Sequence, residues 1–340
     1  MQNNTNDDVL QDGKRDWNGK KRRSMNIARH FSLGGRKKKA EKVCSCADRL
    51  TFKQDSNGKL TLHQTWFCKS RLCPMCNWRR SLKIAYQNKQ VVEKANEREN
   101  LQWLFLTLTV RNVDAEELPE TLSELSKGFK RLTDYKRVSG AVRGYFRALE
   151  VTRNADKDNP EWYGTYHPHF HVLIAVRPSY FKKAYIKQAD WVALWRKAMR
   201  LDYDPIVHIQ RVKPKAELDE MVDYEADVKK AIAEQKAILE VSKYPVKDSE
   251  VINPELDESE NVETLLTLDD ALAFKRLIGY GGILKEIHAE LNLDDAEEGN
   301  LVNVTDEDEI SNAVFDIMAK WHIGLNRYIV TRTKTQREPE

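Results

Sequence analysis

The sequence predicts an α+β protein built on an antiparallel sheet, and three observations carry that prediction. Apolar strand-like runs alternate with amphipathic helical runs in the order β-α-β-β-α-β-α between residues 101 and 243. One of the strands, His169 to Val176, carries two histidines two residues apart, so both leave one face while Phe170, Val172 and Ile174 leave the other. All five cysteines, Cys44, Cys46, Cys68, Cys73 and Cys76, fall ahead of this region. The strand and helix order is that of a split βαβ, ferredoxin-like sheet. Four segments are expected: a basic flexible arm (1–43), a Cys-rich hairpin and helix (44–100), the sheet domain (101–250) and an acidic, mostly helical C-terminal region (251–340).

At 340 residues the chain is long enough for one large or two modest cores. Charged residues make up 32% and hydrophobic ones 41%, and no apolar run approaches the roughly 20 residues that span a bilayer. The N-terminus lacks an apolar signal core, so the expected location is the cytoplasm, with no membrane partner. The net charge of +3 hides an asymmetry. Residues 1–100 hold 23 Lys+Arg against 10 Asp+Glu, whereas residues 248–319 hold 3 against 20. A basic N-terminal part suits a polyanion partner.

The elements follow in order. Residues 1–43 are polar, with the clusters Lys20–Arg23 and Arg36–Lys39, and read as an arm that touches phosphates. Leu50–Phe52 and Leu60–Leu62 flank Asp55-Ser56-Asn57-Gly58, a hairpin turn. Cys46 precedes this hairpin, Cys68 follows it, and Cys73-Pro74-Met75-Cys76 makes a Cys-x-x-Cys knuckle. In a reducing compartment such clustering favours zinc over disulfides. Cys46, Cys68, Cys73 and Cys76 are the expected Zn2+ ligands, with Cys44 or His63 as substitutes. Arg79 and Arg80 follow the knuckle and read as DNA contacts. Residues 78–99 are helical, 101–110 a buried strand, 115–136 a helix, 142–152 a second strand, 182–199 a helix and 205–212 a fourth strand. Residues 216–243 form a long helical pattern stopped by Pro245. Leu265, Leu268 and Leu272 recur at helical spacing.

Two sets of residues suggest chemistry. Glu150, near the end of the second strand, sits on a hairpin that returns to His169 and His171. A carboxylate beside two imidazoles suits Mg2+ or Mn2+ and leaves positions open for water or phosphate oxygens. Glu161 and His167 are weaker alternatives. Glu240 and Tyr244 are four apart and share a helix face. Tyrosine can act as a covalent nucleophile; Lys243 and Lys247 can offer positive charge to phosphates, and a neighbouring Glu can activate water.

The ordered set Phe105-Leu106-Thr107-Leu108-Thr109-Val110, His167-Pro168-His169-Phe170-His171-Val172-Leu173 and Glu240-x-x-Lys243-Tyr244, with Cys68-x4-Cys73-Pro74-x-Cys76-x-Trp78-Arg79 ahead of it, resembles the replication initiators of small Gram-positive rolling-circle plasmids. These are single-tyrosine members of the His-hydrophobe-His (HUH) endonuclease superfamily. The resemblance covers roughly residues 44–250. It implies an HUH-endonuclease fold and a metal-dependent DNA nicking enzyme. His169, His171 and Glu150 would hold the divalent metal, and Tyr244 would attack the scissile phosphate to leave a 5′-phosphotyrosine and a free 3′-OH primer. Glu240 would activate water for termination. It further implies plasmid origin DNA as substrate, with host helicase and polymerase as partners; a homodimer is left open. An HUH transposase or mobilisation relaxase would share this chemistry. A non-catalytic zinc-stabilised DNA-binding regulator would explain the cysteines and the basic arm but would leave Tyr244, Glu240 and the histidines without a role.

Overall fold

The computed structural model describes residues 9–12, 15–212, 238, 241–242, 251–304 and 315–334. The chain divides into two compact units, each with its own antiparallel sheet. One comprises Met1–Lys83, Lys247–Leu266 and Asp295–Glu340; the other comprises Ile84–Val246 and Thr267–Asp294. The protein is α+β.

The first unit opens with α1 (Trp17–Leu33) and α2 (Lys37–Cys44), where the sequence reads as a flexible basic arm. The correction has a clear cause. Asp16 caps α1 by accepting from the Gly19 N–H at 2.7 Å, and Trp17, Ile27, Ala28 and Phe31 recur on one face and are buried. Lys21, part of the basic cluster read from sequence as touching phosphates, is wholly buried; its Nζ donates to the Cys44 and Cys46 carbonyls at 2.6 and 2.7 Å. The hairpin β1 (Arg49–Gln54) and β2 (Leu60–Thr65) turns where expected. Beside β1 lies β8 (Phe315–His322), paired in turn with β9 (Arg327–Lys334), giving the order β2-β1-β8-β9. The C-terminal region is therefore mixed rather than mostly helical. Ile317, Ala319 and Trp321 alternate and bury one face, a period of two that fits a strand. The expected leucine helix is present as α8 (Glu258–Ala271), with Leu265 and Leu268 fully buried.

The long helix α3 (Pro74–Arg98) begins at the knuckle and includes the division between the units. The second unit then follows the expected order: β3 (Gln102–Thr109), α4 (Leu118–Asp134), a short α5 (Lys136–Ser139), β4 (Val142–Arg153), β5 (Tyr166–Val176), a short α6 (Tyr180–Lys183), α7 (Gln188–Met199) and β6 (Val207–Arg211). A fifth strand, β7 (Ile278–Gly282), joins the far side of β4 and leads into α9 (Ile283–Glu290). The strand order is β6-β3-β5-β4-β7, with every adjacent pair antiparallel. The last helix of the expected pattern, residues 216–243, lies almost wholly outside the described residues.

The buried face of this sheet explains α4. Leu118, Leu122, Leu125, Phe129 and Leu132 form one stripe, all buried, each worth about 1.5–3 kcal/mol of burial. Phe129 packs 5.3 Å from Phe170 and 5.0 Å from Tyr145, ring centre to ring centre. Phe170, Val172 and Ile174 are buried, as their alternation requires. Pro168 sits inside β5 without breaking the sheet because the β3 register ends at Thr109↔His169; at Pro168 itself β5 pairs only with β4, through Val151↔Pro168, and Tyr166 beyond it bridges Val113. β7 approaches β4 closely: a Cβ on Gly281 would lie 2.3 Å from the Tyr145 ring.

Candidate metal centres

The face of the second unit's sheet opposite Phe170 carries Glu150, His169 and His171. The register sets Glu150 directly across from His169 and Thr107 directly across from His171. The two Nε2 atoms lie 3.2 Å apart. Glu150 Oε2 is 3.1 Å from His171 Nε2 and 3.7 Å from His169 Nε2. Adjacent donors about 2.1 Å from one octahedral ion lie about 3 Å apart, so the three groups fit a single divalent cation. The outer ring nitrogens are also engaged: His169 Nδ1 meets the His167 carbonyl at 3.1 Å, and His171 Nδ1 meets Thr107 Oγ1 at 3.3 Å. Such contacts fix ring orientation and leave Nε2 as the metal-facing atom. The three side chains are 10–21% exposed, sheltered but within reach of solvent. Thr107 escaped the sequence reading; the pattern that could have found it is a hydroxyl residue paired opposite a ligand histidine. His167 stacks on His169 with centroids 5.0 Å apart. Burial, then the neighbouring His169, pushes its pKa below the ordinary value and favours the neutral ring. Glu161 is exposed in the loop that precedes β5.

The first unit holds the second cluster. The Sγ atoms of Cys46, Cys68, Cys73 and Cys76 lie within 4.8 Å of one another. Cys46–Cys76 is 3.5 Å and Cys68–Cys76 is 3.6 Å. Four sulfurs around one tetrahedral Zn2+ at about 2.3 Å would sit roughly 3.8 Å apart, so the donor set fits that ion. The alternatives left open by the sequence fall away: Cys44 Sγ rests 3.7 Å from Met25 Sδ, and His63 is exposed on β2. Burial pushes the Cys46 and Cys76 thiols up. At Cys73 burial also opposes ionisation, but hydrogen bonds from the other three thiols outweigh it and hold the group well below the ordinary range. The sulfurs accept from the Cys68 and Ser70 N–H groups at 3.4 Å, and Ser24 Oγ lies 3.5 Å from Cys73 Sγ. Ser24 and Lys21 bring α1 into this centre, which is why the N-terminal segment folds.

Arg79 and Arg80 are corrected from DNA contacts to structural groups. Both are fully buried. Arg79 donates to the carbonyls of Leu301 and Val302 at 2.8 and 2.5 Å, and Arg80 to those of Glu297 and Lys69 at 2.9 and 2.6 Å. Their charge clamps the segment that follows α9. Glu240, Lys243, Tyr244 and Lys247 lie outside the described residues. Their described neighbours Val241 and Ser242 are buried, and Ser242 Oγ accepts from Asn88 Nδ2 at 2.8 Å. Asn88 Oδ1 in turn accepts from the Tyr280 hydroxyl at 2.7 Å.

Fold and sites together define an α+β protein with two metal-compatible centres, one thiolate and closed, the other nitrogen–oxygen and accessible. The chain matches the family model of replication proteins over residues 59–329. It is 53% identical over 326 residues to "Protein rep" of Bacillus amyloliquefaciens, covering 93% of this chain and 94% of that protein. It is 60% identical over 269 residues to a Bacillus sp "Protein rep", covering 78% and 85%. It is 42% identical over 253 residues to a Staphylococcus aureus "Replication protein", covering 73% and 99%. No solved structure is a significant match. The chain belongs to the Rep family, the replication proteins of Gram-positive rolling-circle plasmids. Among the described residues no helix is long and apolar enough to cross a membrane.

Proposed function

We propose that this Rep protein starts replication as a site- and strand-specific nicking enzyme of the HUH type, acting on its plasmid origin. The observation that carries the reading is the convergence of Glu150, His169 and His171 on one accessible point, 3.1–3.7 Å apart. The antiparallel strand order β6-β3-β5-β4 supports the same reading, in which the sheet is ferredoxin-like. A divalent ion held there, Mg2+ or Mn2+, would polarise the scissile phosphate.

The remaining steps belong to the chain. The Tyr244 hydroxyl gives up its proton as its oxygen attacks phosphorus, the bond from phosphorus to the 3′ oxygen breaks, and that oxygen takes up a proton and leaves as a free 3′-OH. The 5′ end stays on the tyrosine as a phosphodiester. For termination Glu240 takes a proton from water, which displaces Tyr244 from phosphorus and leaves a 5′-phosphate. Support for Tyr244 comes from its neighbour. Phe146 pairs opposite Tyr280 and shares a strand face with Glu150, so the Tyr280–Asn88–Ser242 chain lies on the metal-compatible face. Tyr244 follows Ser242 by two residues in the sequence. Lys243 and Lys247 would offer charge to the DNA backbone. Zn2+ in the four-cysteine centre would be structural. Host helicase and polymerase act downstream in this reading.

The test incubates the protein and its Tyr244→Phe variant with supercoiled plasmid bearing its own origin, in Mg2+ or Mn2+. A nicked circle with protein on its 5′ end, absent from the variant, is expected; origin binding without a nick under every metal would sink the proposal.

A further inference from the structure

The β8–β9 hairpin tip breaks the usual chemistry of a turn. It runs His322-Ile323-Gly324-Leu325-Asn326-Arg327, and its two apolar side chains point outward, Ile323 69% and Leu325 50% exposed. The tip is nonetheless hydrogen-bonded within itself. His322 Nδ1 accepts from the Leu325 N–H at 3.1 Å, the Asn326 N–H donates to the Ile323 carbonyl, and Asn326 takes the left-handed conformation at φ 49°. The base is held as firmly. Trp321 and Tyr328 pack edge to face at 5.1 Å, and the Tyr328 hydroxyl donates to the Ala47 carbonyl at 2.6 Å, beside the thiolate ligand Cys46. The Tyr328 hydroxyl thus links the hairpin to the segment of the four-cysteine centre within the first unit.

The charge around the tip has one sign. From Met318 to Thr331, the part of the hairpin around the tip, there is no Asp or Glu, while Lys320 and Arg327 are present. Lys320, His322 and Arg327 are exposed. Arg22 of α1 is exposed too and donates to the Asn326 carbonyl at 3.2 Å, which brings a further cation to the tip. This run follows directly on the strongly acidic stretch, so the chain changes sign where the hairpin begins.

We propose that this hairpin is a duplex-DNA contact: Lys320, Arg327 and Arg22 engage phosphates on either side of a groove, and Ile323 and Leu325 wedge between base steps. Apolar wedges flanked by cations are a physical solution to unstacking a duplex, since the lost stacking is offset by new contacts along the bent backbone. A strand-specific nicking enzyme needs its target single-stranded, so the inference rests on the nicking proposal for its purpose but not for its geometry.

The experiment measures binding of the full-length protein to short duplexes tiling its own plasmid, without added divalent metal, across a salt series. Lys320→Glu with Arg327→Glu is expected to weaken duplex binding by about tenfold or more and to flatten the salt slope by about 2. Ile323→Ser with Leu325→Ser is expected to keep the slope but lose permanganate reactivity at unstacked thymines. Both variants should keep the parent's melting temperature and its cutting of single-stranded oligonucleotides. Because binding is scored without metal, a failure of the nicking chemistry leaves this test standing. Unchanged duplex binding by the charge variant would overturn the proposal. So would a loss of binding that tracks a shift from dimer to monomer in sedimentation, which would make the tip a contact between copies of the chain.

Discussion

Thr107 and Glu99 show how much single side chains contribute within the second unit. Thr107 touches no proposed substrate; it orients His171 through Nδ1. Thr107→Val keeps the β-branched shape and removes the hydroxyl, so it should lower divalent-metal affinity at the Glu-His-His set by about 10-fold or more, with little change in fold. Isothermal titration of Mn2+ into the two proteins measures this. Glu99 belongs to another part of the second unit, where it bonds Arg143 through Nε at 3.0 Å and Arg177 at 3.1 Å. These bonds, chiefly that to Arg143, lower its pKa to about 2. A carboxylate depressed in the folded state stabilises fully above its unfolded value and loses that contribution as pH falls towards its folded value. Glu99→Gln should therefore cost about 1 kcal/mol at pH 7, a modest figure because the pair is partly open to solvent. The difference between the proteins should vanish between about pH 4.5 and pH 2 in urea unfolding.

At the scale of elements, the Tyr280–Asn88–Ser242 chain ties β7 and α3 to the segment that carries Glu240 and Tyr244 in sequence. Burial keeps the Tyr280 hydroxyl protonated, its pKa pushed far above the ordinary value, so it remains a donor and sets the Asn88 amide orientation. Asn88→Ala should lower the nicking kcat by about tenfold with the KM for DNA unchanged, at a stability cost of about 1–2 kcal/mol. A fall in stability with kcat intact would reduce the contact to packing. The elements themselves were largely legible. β3, β4, β5 and β6 and the helices α4 and α7 lie where hydrophobic patterning puts them: the helices carry one buried stripe, and β3 and β5 are apolar runs buried over most of their length. α1 was illegible for an equally physical reason. Its buried Lys21 satisfies main-chain carbonyls, and from sequence a lysine among lysines counts as solvated charge.

Across the whole molecule, two compact units carry two centres of different donor chemistry. This separation predicts distinct responses to metal loss. A strong chelator should strip about one equivalent of zinc from the thiolate centre and unfold the first unit, changing the fluorescence of Trp17 and Trp78, which pack edge to face at 4.7 Å beside it. The sheet of the second unit, whose core is hydrocarbon, should keep its circular dichroism and re-bind Mn2+. A single cooperative loss of both units, or no zinc in the purified protein, would count against the structural role of the cysteines.

The sequence by itself determined the α+β class, the order of strands and helices from 101 to 212, the facing of His169 and His171, and the clustering of all five cysteines ahead of the sheet, because periodicity and ligand spacing are local properties. Only the tertiary structure decided that Cys46 rather than Cys44 joins the cluster, and that Thr107 stands behind His171. It also turned Arg79 and Arg80 inward, and set the last two strands beside the first hairpin. Each of these depends on which distant backbone groups satisfy a side chain or a strand edge, and such pairing is fixed by burial and hydrogen-bond completion between segments far apart in the chain.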